Sequence, residues 1–230
     1  MFGAQVKGIR GADGIVKTLK DVGEYDVWTH IIVSNNQQGE LLGFTYQVGG
    51  IVSGTSGANA TKLDTNMRVA SQFVDESMSV YAIAIQIERL TRALFQDFPD
   101  PDDKESVKVP YQATYPDFKQ MEAHTLFRMH VGGDKPFSEG MLTWFAESGG
   151  LYGSSVTAGE EIVANNVPTI ASARKWEFKL PIGRIEKFWC ELLWPGGSPT
   201  FGFFSGSPGT VHGKVGVYVR LLGVRARGVQ

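Results

Sequence analysis

Along Arg174–Ile182, Trp176, Phe178, Leu180 and Ile182 fall on one parity, and Lys175, Glu177 and Lys179 on the other. A strand sends successive side chains to opposite faces, so this alternation predicts a half-buried strand with a large apolar inner face. After residues 183–187 the alternation resumes with Phe188, Cys190, Leu192 and Trp194. Glu191 shares the other parity with Trp189 and Leu193, which predicts a second strand covered on both faces. The turn sequence Pro195-Gly196-Gly197-Ser198-Pro199 ends it. Two heavy strands in succession need another sheet to bury against, and the pattern therefore predicts a β-sandwich.

The rest of the chain repeats this theme. In residues 25–33, Tyr25, Val27, Thr29 and Ile31 share one face, with Trp28, His30 and Ile32 on the other. A polar loop over 34–40 leads to a short strand over 41–48, then to a long loop over 49–64 rich in Gly, Ser, Thr and Asn. Residues 77–88 predict a central strand, because both faces are apolar: Tyr81, Ile83, Ile85 and Ile87 on one, Met78, Val80, Ala82 and Ala84 on the other. Residues 88–95 carry Leu90, Ala93 and Leu94 at helical spacing, which predicts a short helix or turn. Shorter strands are expected over 107–109, 125–131 and 141–145, with turns over 132–136 and 149–155 and a loop over 160–166. Val215, Val217, Val219 and Leu221 alternate with Lys214, Tyr218 and Arg220 in a last strand. The total is eight or nine strands, without repeat or linker.

Length and composition sharpen the picture. A chain of 230 residues is expected to form one domain, burying roughly 70–75% of the surface its unfolded chain exposes. The lone cysteine, Cys190, excludes an intrachain disulfide and sits on an inward parity, as a buried thiol rather than a nucleophile. A net charge of −2 argues against a protein whose main task is coating nucleic acid. No apolar run approaches the ~20 residues of a membrane span, and no signal-peptide core is expected. Only the first stretch departs from this balance. Residues 1–20 are glycine-rich and locally basic, with Lys7, Arg10, Lys17 and Lys20 against Asp13. They read as a flexible N-terminal arm, or as one that orders against a neighbouring subunit, a lipid surface or nucleic acid.

Candidate chemistry is sparse. The four histidines, His30, His124, His130 and His212, include no His-x-His pair. His124 and His130 lie about 20 Å apart along a strand, too far to share one ion. Isolated surface or capped histidines are expected, with no metal and no cofactor. Phosphate-loop, dinucleotide and nucleophile-elbow motifs are missing from the sequence. The adjacent Glu160 and Glu161 would diverge on a strand, although a carboxylate pair from distant strands stays open. The acidic stretch 97–105 is expected to be a solvated loop rather than a cation site. Trp176 and Trp194 are expected in the core, whereas Trp28 and Trp144 stay open for a binding role, including sugar stacking. Phe201, Phe203 and Phe204 lie among turn residues, as a short buried strand or as an apolar contact patch. The loops 49–64 and 198–208 are candidate interface loops. No enzyme activity is expected.

Two stretches resemble a known family. Leu63-Asp64-Thr65-Asn66-Met67, then Ala70-Ser71-Gln72 and the strand over 80–87, is similar to a segment of jelly-roll major capsid proteins of tailless icosahedral bacteriophages of the membrane-containing type. The ending Leu221-Leu222-Gly223-Val224-Arg225-Ala226-Arg227-Gly228-Val229-Gln230 resembles the last strand of such chains, and Gly133-Asp134-Lys135-Pro136-Phe137 and the strand pair 176–194 fall in a comparable order. The resemblance implies an all-β, antiparallel β-sandwich: a single jelly roll over 21–230 with long loops, since the double-roll members are longer. It further implies an icosahedral capsid subunit without an active site, located in the virion and made in the host cytoplasm. Its partners would be itself, as a trimer or pseudo-hexamer, other capsid proteins, and an inner viral membrane or genome reached through the arm. The alternative is a carbohydrate- or receptor-binding β-sandwich module of spike or lectin type.

Overall fold

The computed structural model describes residues 9–10, 16–17, 22–34, 37–74, 76–89, 121–146, 151–154, 162–165, 173–197 and 214–227. Within them the chain is an all-β, antiparallel sandwich. Its elements are β1 (Ile9–Arg10), β2 (Val16–Lys17), β3 (Val22–Ser34), β4 (Leu41–Gly43), β5 (Glu76–Arg89), β6 (Leu126–Val131), β7 (Pro136–Met141), a 3-10 turn (Leu142–Trp144), β8 (Leu151–Ser154), β9 (Ile162–Asn165), β10 (Arg174–Ile182), β11 (Phe188–Leu193) and β12 (Lys214–Arg227).

Two four-stranded sheets carry the core. One has the order β10-β5-β12-β3, the other β4-β11-β6-β7. Along the chain, consecutive strands of this set change sheet, except for the β6–β7 hairpin. Two small ladders, β1–β2 and β8–β9, stand apart from the main sheets.

The inner faces follow from the period-two pattern. Val27, Ile31 and Val33 of β3 and Val215, Val217, Val219 and Leu221 of β12 face Phe127 and Met129 of β6 and Phe188, Cys190 and Leu192 of β11. Phe188 is the centre of an aromatic contact set, with ring centroids 5.5 Å from Phe44 and 4.9 Å from Phe73. Burying apolar side chains of this size contributes about 1.5–3 kcal/mol each, so the sandwich is held by this layer.

The strand β5 lies between β10 and β12, as its two apolar faces predict. Its faces do not divide as simple parity would have them. The β12 ladder slips between Leu222 and Gly223, where Leu222 opposes Ala82 and Gly223 opposes Val80. Such a bulge exchanges the two faces of a strand. Met78 and Val80 therefore join Ile83, Ile85 and Ile87 in the main core, while Tyr81, Ala82 and Ala84 pack with Ala173 and Leu222 on the outer face. Glycine is needed at the slip, because a Cβ on Gly223 would lie 2.6 Å from the Ser79 carbonyl oxygen.

Other expectations need correction. The strand expected over 41–48 stops at Gly43, since Phe44 takes a positive φ of 63° and turns the chain. The strand expected over 141–145 is the 3-10 turn, and β7 occupies what read as a turn and its sequel. Pro-Phe-Ser-Glu-Gly-Met has no alternation to reveal it, and its proline is tolerated at the first residue of an edge strand. The turn over 149–155 and the loop over 160–166 contain β8 and β9. The short helix over 88–95, the strand over 107–109 and the acidic stretch 97–105 lie outside the described residues, apart from 88–89, which end β5.

Candidate functional site

Two open sheets have four edge strands, here β3, β10, β4 and β7. An edge strand offers a row of backbone donors and acceptors to any extended segment that meets it, so edges are where a sandwich controls association.

The β3 edge is closed by the chain that follows it. The Asn66 side chain accepts from the Trp28 N–H at 3.1 Å and donates to the Asp26 carbonyl at 2.7 Å. The Thr65 hydroxyl donates to the Trp28 carbonyl at 3.0 Å. The Tyr46 phenol accepts from the His30 N–H at 3.0 Å and donates to the His30 carbonyl. The Ile32 N–H donates to the Ser53 carbonyl at 2.9 Å. Three side chains and one peptide thus stand where a neighbouring strand would pair. Part of the loop over 49–64 is consumed here: Val52 and Ala60 are buried with Tyr46, while Ile51 and Leu63 remain exposed.

The same cap contains a histidine–carboxylate pair. His30 Nδ1 lies 3.3 Å from Asp64 Oδ1, and the ring stacks on Tyr218, its cross-strand partner, at 4.2 Å and 5°. Burial acts to raise the Asp64 carboxyl, but hydrogen bonds from His30, the Thr61 N–H and the Thr61 hydroxyl outweigh it and hold the group at about 2. Burial pushes the Tyr46 phenol up to about 12. With side-chain exposures of 5% and 14% for His30 and Asp64, this pair fastens the cap to the sheet.

A second buried histidine lies on the outer face of the other sheet. His130 stacks on Trp189, its partner across β6 and β11, at 4.8 Å and 3°. Glu191 Oε2 comes within 3.2 Å of its Nε2, while Glu191 Oε1 accepts from the Trp189 indole at 3.2 Å. This approach falls outside hydrogen-bond geometry, and neither ring nitrogen has a hydrogen-bond partner among the described residues. His30 and His130 thus differ from the isolated surface or capped histidines expected. His124 is exposed, and His212 lies outside the described residues.

The remaining edges are unlike one another. β4 has only three residues. β10 bulges away from β5 between Lys175 and Leu180 and exposes Lys175, Glu177, Lys179 and Pro181. Along β7 and the 3-10 turn, by contrast, Phe137 is 47%, Met141 36% and Trp144 58% exposed. Phe137 also meets Trp176 of the opposite sheet edge to face at 5.3 Å. At the end of the sandwich where β3 begins, a cavity of about 240 Å³ is lined by Tyr25, Val27, Asn66, Met67, Phe73 and Glu76 among others. Two of these lining residues are held by Arg225, which lies 3.1 Å from Glu76 and 4.1 Å above the Tyr25 ring.

Of the arm residues singled out by charge, Arg10 and Lys17 lie on β1 and β2, where Arg10 pairs with Val16 and Ile9 with Lys17. Lys7 and Lys20 lie outside the described residues, as do Phe201, Phe203, Phe204 and the loop over 198–208. Cys190 is fully buried, and burial pushes its thiol well above the usual range. Trp176 and Trp194 pack against the core, Trp194 donating to the Thr125 hydroxyl at 2.9 Å. Trp28 is half-buried and Trp144 exposed. Among the described residues, no group of three or more His, Cys, Asp or Glu could hold a metal ion, and no helix is long and apolar enough to cross a membrane. The cap residues Tyr46, Thr65 and Asn66 escaped the sequence reading as a site, although Asp64-Thr65-Asn66 lies within a stretch it singled out. No family model, no curated protein and no solved structure matches the chain.

Proposed function

We propose that this chain is a shell-forming structural protein, a single jelly-roll capsid subunit that associates with copies of itself. The observation that carries the reading is the pairing scheme of the main strands. Counted in chain order from β3 and leaving out the β8–β9 ladder, the first strand pairs with the eighth, the second with the seventh, the third with the sixth and the fourth with the fifth. Such a scheme is that of one long antiparallel ribbon. Rolling it up adds the contacts β12–β5 and β11–β6 and yields two facing sheets, the jelly-roll arrangement used by viral shells and lectins.

Fold by itself does not select a function, so the edges supply the second support. A subunit that builds closed shells must suppress open-ended strand pairing yet keep chosen surfaces for its neighbours. The β3 edge is sealed by Tyr46, Thr65 and Asn66, and β10 is bulged and charged. The large aromatic side chains of the described core are spent on holding the two sheets together. On this reading the partners are further copies, as a trimer or pseudo-hexamer, along with other capsid proteins. The basic arm, through Lys7, Arg10, Lys17 and Lys20, faces an inner membrane or the packaged genome.

Sedimentation velocity over a wide concentration range tests the reading: discrete oligomers growing with concentration support it, and a monomer throughout refutes it. Removing residues 1–20 tests the arm separately. The truncated chain should lose affinity for anionic vesicles or DNA at low salt, where charge–charge attraction is least screened, while keeping its oligomers.

A second reading, a glycan-binding module, is favoured by the exposure of Trp144, because an exposed indole face can stack on a sugar ring. Binding on a glycan array that disappears in Trp144→Ala would establish it.

A further inference from the structure

The four edges of the sandwich are treated unequally, and the inequality singles out one of them. β3 has its outward backbone groups occupied by Tyr46, Thr65, Asn66 and Ser53. β4 offers only three residues. β10 carries a bulge, a proline and the exposed charges Lys175, Glu177 and Lys179. Short strands, bulges, proline and lysine are the devices by which natural sheets refuse a partner. β7 is bulged and begins with proline at one end, but its ladder from Ser138 to Met141 is regular and has a partner on one side only among the described strands. Instead of lysines it carries three of the large exposed apolar side chains: Phe137, Met141 and, just beyond it, Trp144.

We infer that the β7 rim is a docking surface for the same rim of a second copy of this chain, in a two-fold contact. The inference rests on the self-associating function proposed above and names the surface it uses. Three features support a copy of the chain as the occupant. Trp144 is held ready: its ring lies on Gly140, where a Cβ would come 2.4 Å from the indole, so the exposed face is presented without the freedom of a loose side chain. Preordered aromatic anchors of this sort dominate the energy of interfaces. The rim also carries its own charge complement. Arg128 and Glu139 pair across β6 and β7 at 2.5 Å while staying 33% and 44% exposed. An adjacent cation and anion on a two-fold surface meet their opposites on the partner, because residue i of one copy contacts residue j of the other and the reverse. Finally, Phe137 at the bulge closes on Trp176 of the facing sheet, so a partner here would cover the open side of the sandwich between β7 and β10.

The test uses the full-length protein. Trp144→Glu and Met141→Lys change exposed positions, and each should weaken self-association more than about tenfold, as loss of an interface anchor does, with the thermal unfolding midpoint little changed. Met141→Cys and Trp144→Cys, each treated with a short bis-maleimide, should give covalent dimers. The background is silent because Cys190, the only native cysteine, is buried. Leu63→Cys, exposed on the capped β3 side, should not crosslink. Unchanged oligomers in the charged variants, or crosslinking at Leu63→Cys but not at the rim, overturn the inference while leaving self-assembly standing. A native chain that stays monomeric overturns both. Glycan binding lost in Trp144→Glu with oligomers intact gives the rim to a different partner and also overturns it.

Discussion

Asn66 serves Trp28 as a substitute strand: its side-chain carbonyl receives the Trp28 N–H at 3.1 Å while its amide reaches back to the Asp26 carbonyl at 2.7 Å. One primary amide thus completes two backbone positions of an edge that would otherwise recruit a partner. Asn66→Ala should cost about 1–3 kcal/mol, the penalty for leaving such groups unpaired. For a chain of this size that lowers the melting temperature by roughly 2–4 °C per kcal/mol. Asn66→Asp should fare no better, because a carboxylate accepts from Trp28 but repels the Asp26 carbonyl. Thermal denaturation of both variants decides the matter; an unchanged midpoint would contradict it.

Tyr46 does the same for His30 with one hydroxyl that both accepts and donates. Tyr46→Phe keeps the ring and removes the hydroxyl, so it isolates that contribution, again about 1–3 kcal/mol. A pH dependence accompanies it. The folded phenol is raised from 10.0 to about 12, so the folded state favours the protonated form. The stabilisation is complete below pH 10 and is lost as pH climbs toward 12. Denaturant melts of the native chain should lose stability over that window faster than those of Tyr46→Phe.

Asp64 behaves in the opposite sense. Its folded value of about 2 lies below the ordinary 3.8, so its stabilisation is present above pH 4 and disappears as pH falls through about 2. The opposing cost of burial and residual screening by water limit it to roughly 1–2 kcal/mol. Asp64→Asn should therefore flatten the acid limb of a stability–pH profile between pH 4 and 2 and lower stability at neutral pH. Equal acid limbs for the two proteins would remove Asp64 from the cap.

Gly54 fixes where the cap loop lies. Its φ of +83° is unfavourable for other residues, and a Cβ there would fall 1.7 Å from the Ile32 carbonyl oxygen. Gly54→Ala must push the loop from β3, breaking the bond from the Ile32 N–H to Ser53. The expected cost exceeds about 2 kcal/mol. The freed edge should also raise light scattering on mild heating, before global unfolding seen by circular dichroism.

The sandwich was legible because the strands that build its core obey period two over long runs: Trp176 to Ile182, Phe188 to Trp194 and Val215 to Leu221 alternate cleanly. Where the ladder slips, parity fails, and Tyr81 and Val80 exchanged faces because no local signal marks the bulge opposite Gly223. β7 was missed for a related reason: its inward positions are Pro136, Ser138 and Gly140, which are small or polar and leave no apolar alternation to read. The cap was hidden by distance in sequence. Asn66 and Trp28 are 38 residues apart, and side-chain amides that imitate a strand leave no periodic trace. His30 and His130 looked isolated because Tyr218, Trp189 and Glu191 reach them from neighbouring strands, while Asp64 comes from the cap loop.

Negative-stain electron microscopy of the purified full-length protein, at rising concentration and low salt, tests self-assembly most directly. Repeating tiles or closed shells built from discrete oligomers are the predicted result. Dispersed single particles of about 25 kDa under every condition would contradict it.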